Sequence, residues 1–262
     1  MLDPTSIFLL MTIHQITFSP TGGTRRVSEL LCKGLGGAST YTELCTKHQD
    51  LKLPHIAQDD LVVISMPVFA GRVPALAIER LQAIEAHHAL CVIVAVYGNR
   101  AFEDALVEMQ DTTTALGFSV IAAIAANAEH SICRMYGTGR PDEADAKDLA
   151  DFGVAILEKI HQNAPFATLT LPGNRPYRQG NTGPFPTATD ACTNCGTCAD
   201  ECPTGAISIP TPQANNNALC IGCMRCVAVC PAGARGIGER LNLLVAHLEP
   251  LCKDRKENEL FL

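Results

Sequence analysis

Eight of the thirteen cysteines fall between positions 192 and 230, where their spacing can do chemistry. Cys192, Cys195, Cys198 and Cys202 form one run of the pattern Cys-x-x-Cys-x-x-Cys-x-x-x-Cys-Pro, and Cys220, Cys223, Cys226 and Cys230 repeat it 28 residues later. Three thiolates at intervals of three wrap a loop around one cubic iron–sulfur cluster, while the fourth is carried by the next turn to the neighbouring cluster. The pattern therefore predicts two [4Fe–4S] clusters with crossed ligation: Cys192, Cys195, Cys198 and Cys230 for the first, Cys220, Cys223, Cys226 and Cys202 for the second. Structural zinc and a disulfide knot are the alternatives. A closed tetrahedral zinc site has no place for the third cysteine, and metal-ligand spacing argues against a disulfide framework. The proline after each fourth cysteine lacks an N–H and fixes φ, which turns the chain away from the cube. Arg235 stands where the first repeat has Ile207, and a cation there raises a nearby potential if it is not simply at the surface.

A second constellation lies near the start, at Ser19-Pro20-Thr21-Gly22-Gly23-Thr24. Hydroxyls and free N–H groups where a helix begins make an anion site, and glycines let the backbone close on a phosphate. A phosphomonoester fits such a loop, as does a plain strand-to-helix turn. The loop is neither a Walker A nor a Gly-x-Gly-x-x-Gly sequence. Two further segments, Met66-Pro67-Val68-Phe69-Ala70-Gly71 followed by Arg72, and Tyr97-Gly98-Asn99-Arg100, each offer an aromatic ring, glycine backbone and polar groups. That is what holding a flat isoalloxazine requires, with Phe69 or Tyr97 to stack on it; ordinary core packing of those rings is the alternative.

The elements that position these loops follow from hydrophobic periodicity. Short apolar runs at 12–18, 39–44, 61–65, 90–96 and 120–126 read as strands, and helical spacing between them reads as crossover helices. The expected fold is an α/β doubly wound, five-stranded parallel sheet of order 2-1-3-4-5, whose ligands bind beyond the carboxyl ends of the strands, where all three loops fall. Residues 1–11 read as an N-terminal tail, 12–162 as the α/β domain, and 163–189, rich in proline and glycine, as an irregular linker. The cysteine repeat occupies 190–236, and 237–262 read as an amphipathic helix and tail. About sixteen residues from Asn127 to Asp142 form a long loop at the same sheet edge, predicted to cover the bound ring, to dock the cysteine segment or to serve as plain surface. Cys32, Cys45 and Cys91 read as small buried hydrophobes.

The cysteine segment resembles bacterial-type two-cluster ferredoxins from about 190 to 235, which implies a small α+β domain. The stretch from 12 to about 161 resembles flavodoxins, whose phosphate loop, Ser/Thr-x-Thr-Gly-x-Thr, is matched at Ser19, Thr21, Gly22 and Thr24. The resemblance implies FMN as cofactor, with its ring flanked by 66–71 and 97–100. Two departures are the absence of tryptophan and the pair Arg25 and Arg26 after the loop. Taken whole, the chain looks like flavodoxin–ferredoxin fusion proteins of anaerobic bacteria and archaea. The implied function is electron relay between an external redox protein, two clusters and FMN. A flavin reductase acting on a small-molecule acceptor and a flavin-free docking module stand as alternatives.

Composition narrows the partners. A net charge of −7 without a clustered basic patch argues against nucleic acid and anionic membrane. The apolar runs at 90–96 and 120–126 are far shorter than the roughly 20 residues of a membrane span. With no basic flank before the apolar residues 7–11 and no cleavage pattern after them, a cytoplasmic protein is expected.

Overall fold

The computed structural model describes residues 11–36, 38–162, 165–180 and 183–262; the expected tail, apart from Met11, lies outside them. Strands β1 (Ile13–Thr17), β2 (Ser39–Glu43), β3 (Leu61–Pro67), β4 (Leu90–Tyr97) and β5 (Ser119–Asn127) pair in parallel in the order β2-β1-β3-β4-β5. This is the flavodoxin-like order, as predicted. The β-branched runs of β3 and β4 suit strands buried on both faces, and alternation divides their side chains between two layers. Val62, Ile64 and Met66 of β3 join Ile93, Ala95 and Tyr97 of β4 on one face, while Val63, Val92, Val94 and Val96 face the other. The first face is covered by α2 (Ala75–Leu81) and α3 (Ala105–Ala115), the second by α1 (Gly23–Gly34) and α4 (Glu143–His161). A capping box starts α4, with Asp142 accepting from the Asp145 N–H and Asp145 from that of Asp142.

Beyond α4 the chain departs from the simplest expectation in two ways. The described residues of the 163–189 segment are irregular up to position 186 but pinned: Leu169 is buried in the first core layer, and Asp104 accepts from the Asn174 and Arg178 N–H groups at 2.8 and 2.7 Å. At its end β6 (Thr187–Ala188) pairs with β7 (Arg235–Gly236), bracketing the cysteine repeat. Then α7 (Arg240–Cys252) packs on the 127–142 loop through Leu248 and Cys252 against Cys133 and Tyr136. The expected tail ends in β8 (Glu259–Phe261), which pairs antiparallel with β5 at Ala123–Ala125 and makes the sheet six-stranded. The added strand covers an edge that a five-stranded sheet leaves open.

The repeat in sequence is a repeat in backbone. Positions 194 and 222, 196 and 224, and 205 and 233 all have positive φ, and the short helices α5 (Thr197–Asp200) and α6 (Arg225–Ala228) begin right after the second pair. Polar contacts join the two regions: Arg80 Nη2 donates to the Pro203 carbonyl at 2.8 Å, Arg225 Nη1 to that of Pro20 at 3.2 Å, and Lys47 lies 3.5 Å from Asp200.

Candidate functional site

The cysteines gather into two separate sets. Cys192, Cys195, Cys198 and Cys230 line one cavity together with Arg235, and Cys202, Cys220, Cys223 and Cys226 line another. The fourth cysteine of each run lies with the first three of the other because the short helix that holds the third, Cys198 in α5 and Cys226 in α6, carries the chain across. Each set surrounds a space rather than a point, and among the described residues no three His, Cys, Asp or Glu side chains converge on a single metal ion. Donors already face the sulfurs: the Ala234 N–H is 3.3 Å from Cys230 Sγ, and Arg235 Nη1 is 3.8 Å from Cys198 Sγ. Four thiols per cavity with N–H groups aimed at sulfur fit a [4Fe–4S] cluster. Burial pushes the Cys226 thiol up to about 11, so that cluster assembly there releases a proton. The sets differ in exposure: Cys195 is exposed, whereas Cys223 is buried against Cys45 of the α/β domain.

The phosphate-type loop runs from β1 into α1. Gly22 caps the helix at φ +93°, a conformation costly for any residue with a Cβ. Ser19 anchors the loop on both sides: its N–H donates to Glu43 at 2.9 Å, and its Oγ accepts from the Arg25 N–H at 2.9 Å. Thr24 is buried beneath the helix start. The Arg26 N–H is taken by the Gly22 carbonyl, which leaves the first-turn N–H groups of Gly23 and Thr24 for another acceptor.

A cavity of about 640 Å³ opens over this loop, walled by Thr21, Gly22, Gly23, Arg26 and the 127–142 loop on one side and by Met224, Val227, Ala228 and Cys230 on the other. Its size is within the range of cofactor sites. Arg25 is engaged with Glu29 and stacks on Tyr41 at 4.4 Å, whereas the Arg26 guanidinium makes no ion pair among the described residues. Ser131 is shared with a second, narrower cavity lined by Val68, Phe69, Gly98, His130, Ile132 and Gly222. There His130 Nδ1 accepts from the Ile132 and Cys133 N–H groups at 3.1 Å each, which assigns the ring proton to Nε2. Burial, aided by the Arg100 charge, lowers the pKa of His130 and keeps the ring neutral.

Of the residues singled out for a flavin, the structure brings Thr21, Gly22, Gly23, Val68, Phe69 and Gly98 to these cavities. Others lie elsewhere. Because β3 runs on through Pro67, Met66 is a core side chain, fully buried. Likewise β4 runs one residue past its predicted end, so alternation turns Tyr97 into the first core layer, edge-on to Phe102 at 5.6 Å. Asn99 is buried and donates to the Cys252 and Asp254 carbonyls, Arg100 pairs with Glu103, and Gly71 also faces Glu103. Ala70, next to Gly71, is exposed. Among the lining residues that the sequence did not mark as cofactor-binding are His130, Ser131 and Arg26. The length of the 127–142 loop signalled the first two, and a basic residue just after the glycines signalled the third.

Comparison with known proteins follows the same division. Residues 191–235 match the 4Fe–4S dicluster domain family, so this segment is a two-cluster iron–sulfur domain. No curated protein matches the chain. Among solved structures, it is similar to a flavodoxin from the domain Archaea (15% identity, 57% of this chain and 99% of that one, TM-score 0.41). It is also similar to a Streptococcus pneumonia TIGR4 flavodoxin (12% identity, 58% and 99%, TM-score 0.39) and to the flavodiiron core from Synechocystis sp. PCC6803 (15% identity, 61% and 38%, TM-score 0.41). The flavodoxin-like order of the sheet stands on its own strand pairing.

Proposed function

We propose that this protein is an electron carrier that holds FMN in the double cavity above β1 and relays electrons between it, the two clusters and an external redox protein. The observation that carries the reading is the shared wall: Gly222 of the second cysteine loop and Cys230 of the first set line the same joined cavities as the phosphate-type loop. Clusters pass single electrons while a flavin takes one or two, so the bound groups together convert single electrons into pairs. The chain's own residues do the positioning. Gly23 and Thr24 offer N–H groups and Arg26 a positive charge to the phosphate, Phe69 and Val68 offer an apolar face to the ring, and His130 Nε2–H is a donor beside it. Ligation by the two sets of four cysteines is supported by their separate cavities. The exposed position of Cys195 supports approach of the external partner at the first set, with the second set innermost.

Anaerobic purification, denaturation and assay of released flavin, iron and acid-labile sulfide test this directly. The expected result is one FMN per chain with about eight irons. Eight irons without flavin, even after incubation with FMN, overturns the flavin half in favour of a docking module; absence of iron overturns the relay altogether.

A further inference from the structure

Arg235 is 5% exposed, and among the described residues no carboxylate pairs with it. Its Nη1 donates to the Pro212 carbonyl at 2.6 Å and lies 3.8 Å from Cys198 Sγ, its Nη2 donates to Asn215 Oδ1 and the Pro186 carbonyl, and its Nε has no partner. Carbonyl and amide oxygens satisfy hydrogen bonds but do not cancel a charge. Taking a guanidinium out of water without an anion is strongly unfavourable. Cysteine sulfurs are the groups in reach that can supply the negative charge, and Arg235 stands between both sets: it lines the cavity of the first, with Nη1 on the Cys198 sulfur, and its partners Pro186 and Asn215 line the cavity of the second. The internal repeat provides a control, since Ile207, 28 residues earlier, is buried to the same degree. The cysteine frame accepts an apolar side chain at this place, so what distinguishes the second repeat is charge rather than space.

We propose that Arg235 is the shared counter-cation of the two clusters, holding both reduction potentials above the values the cysteine frame alone would give. Each cluster gains one negative charge per electron, no proton moves, and a fixed cation between them stabilises the reduced state of both. The inference rests on the cluster half of the proposed function and not on the flavin half.

The test is a spectroscopically monitored redox titration of the full-length, cluster-loaded protein, comparing Arg235→Gln and Arg235→Lys with the parent after iron and sulfide have been counted. In the Gln variant the reduced-to-oxidised ratio of both clusters at a given applied potential should fall at least tenfold, about 59 mV for a one-electron couple; in the Lys variant it should fall less than threefold. A fully loaded Gln variant with unchanged potentials overturns the proposal, as does a Lys variant that falls as far as Gln. If the Gln variant holds less iron, the Lys variant decides alone: a tenfold fall with the charge retained is fatal, and a fall under threefold sustains the proposal. A parent protein without iron would overturn the cluster reading itself, and that is seen before any variant is made.

Discussion

Gly98 and Gly22 are both glycines of the candidate site, for different reasons. At Gly98 a Cβ would lie 2.7 Å from His130 Cα, so the β4 loop and the 127–142 loop touch backbone to backbone. At Gly22 there is open space around the same construction, and only the positive φ excludes a side chain. Gly98→Ala must push His130 and Ser131 away from the narrow cavity, at an overpacking cost of about 1–3 kcal/mol. FMN affinity, measured by titrating flavin-depleted protein, is expected to fall roughly tenfold or more. An unchanged affinity would mean that the His130 wall takes no part in binding.

Among the elements, the start of α4 bears the most. Arg140 Nε and Nη2 both donate to Asp145, Arg140 Nη1 donates to the Lys256 carbonyl at 2.6 Å, Arg255 Nη1 to Asp142 at 2.6 Å, and Asn258 Nδ2 to Asp145 at 2.9 Å. One helix cap thus ties the loop over the cavity to the C-terminal segment. Burial alone would raise the Asp145 carboxyl, but hydrogen bonds from Arg140 and its charge outweigh it and hold the pKa below the usual carboxylate range. A depressed carboxyl stabilises the fold fully above its unfolded pKa of about 3.9, and that contribution is lost as pH falls through the lower folded value. Asp145→Asn leaves Arg140 buried without its partner and is expected to cost about 3 kcal/mol at neutral pH in chemical denaturation. The gap between variant and parent should close below about pH 4; a gap constant from pH 7 to pH 3 would contradict the ion-pair account.

At the scale of the molecule, the chain leaves the α/β domain after α4, builds the cysteine domain, and returns through α7 to finish the same sheet with β8. Both ends of the cysteine domain are therefore anchored to the sheet, and a swinging single-tether arrangement is ruled out by topology. Asn99 and Asn127, both buried, spend their side chains on the returning segment: Asn99 on Cys252, Asp254 and Lys256, and Asn127 on Lys256 and Glu257. Deleting residues 254–262 leaves these amides short of partners, at about 1–3 kcal/mol each, and uncovers the β5 edge. Hydrogen exchange in β5 and the 127–142 loop should then quicken while iron content stays at the parent level. Unaltered exchange in β5 would count against β8 as part of the sheet.

What the sequence by itself determined is local. Ligand spacing within each cysteine run, the period of the β-branched strands, and the glycine pair at a helix start all act over a few residues, so each could be read without knowing what lies across the fold. The sheet order followed from those strands and the known geometry of doubly wound sheets. Strand ends were less legible: β4 needs only one further residue for alternation to move Tyr97 from the candidate site into the core, and no local signal marks that residue. Only the tertiary structure decided that His130 faces Phe69, that Cys45 lies against Cys223, and that Arg235 is buried between the two cysteine sets. It likewise decided that the last residues complete the first domain. These are contacts between segments from 37 to 178 residues apart, where the energy comes from shared burial and charge, and neither quantity exists until the partners meet.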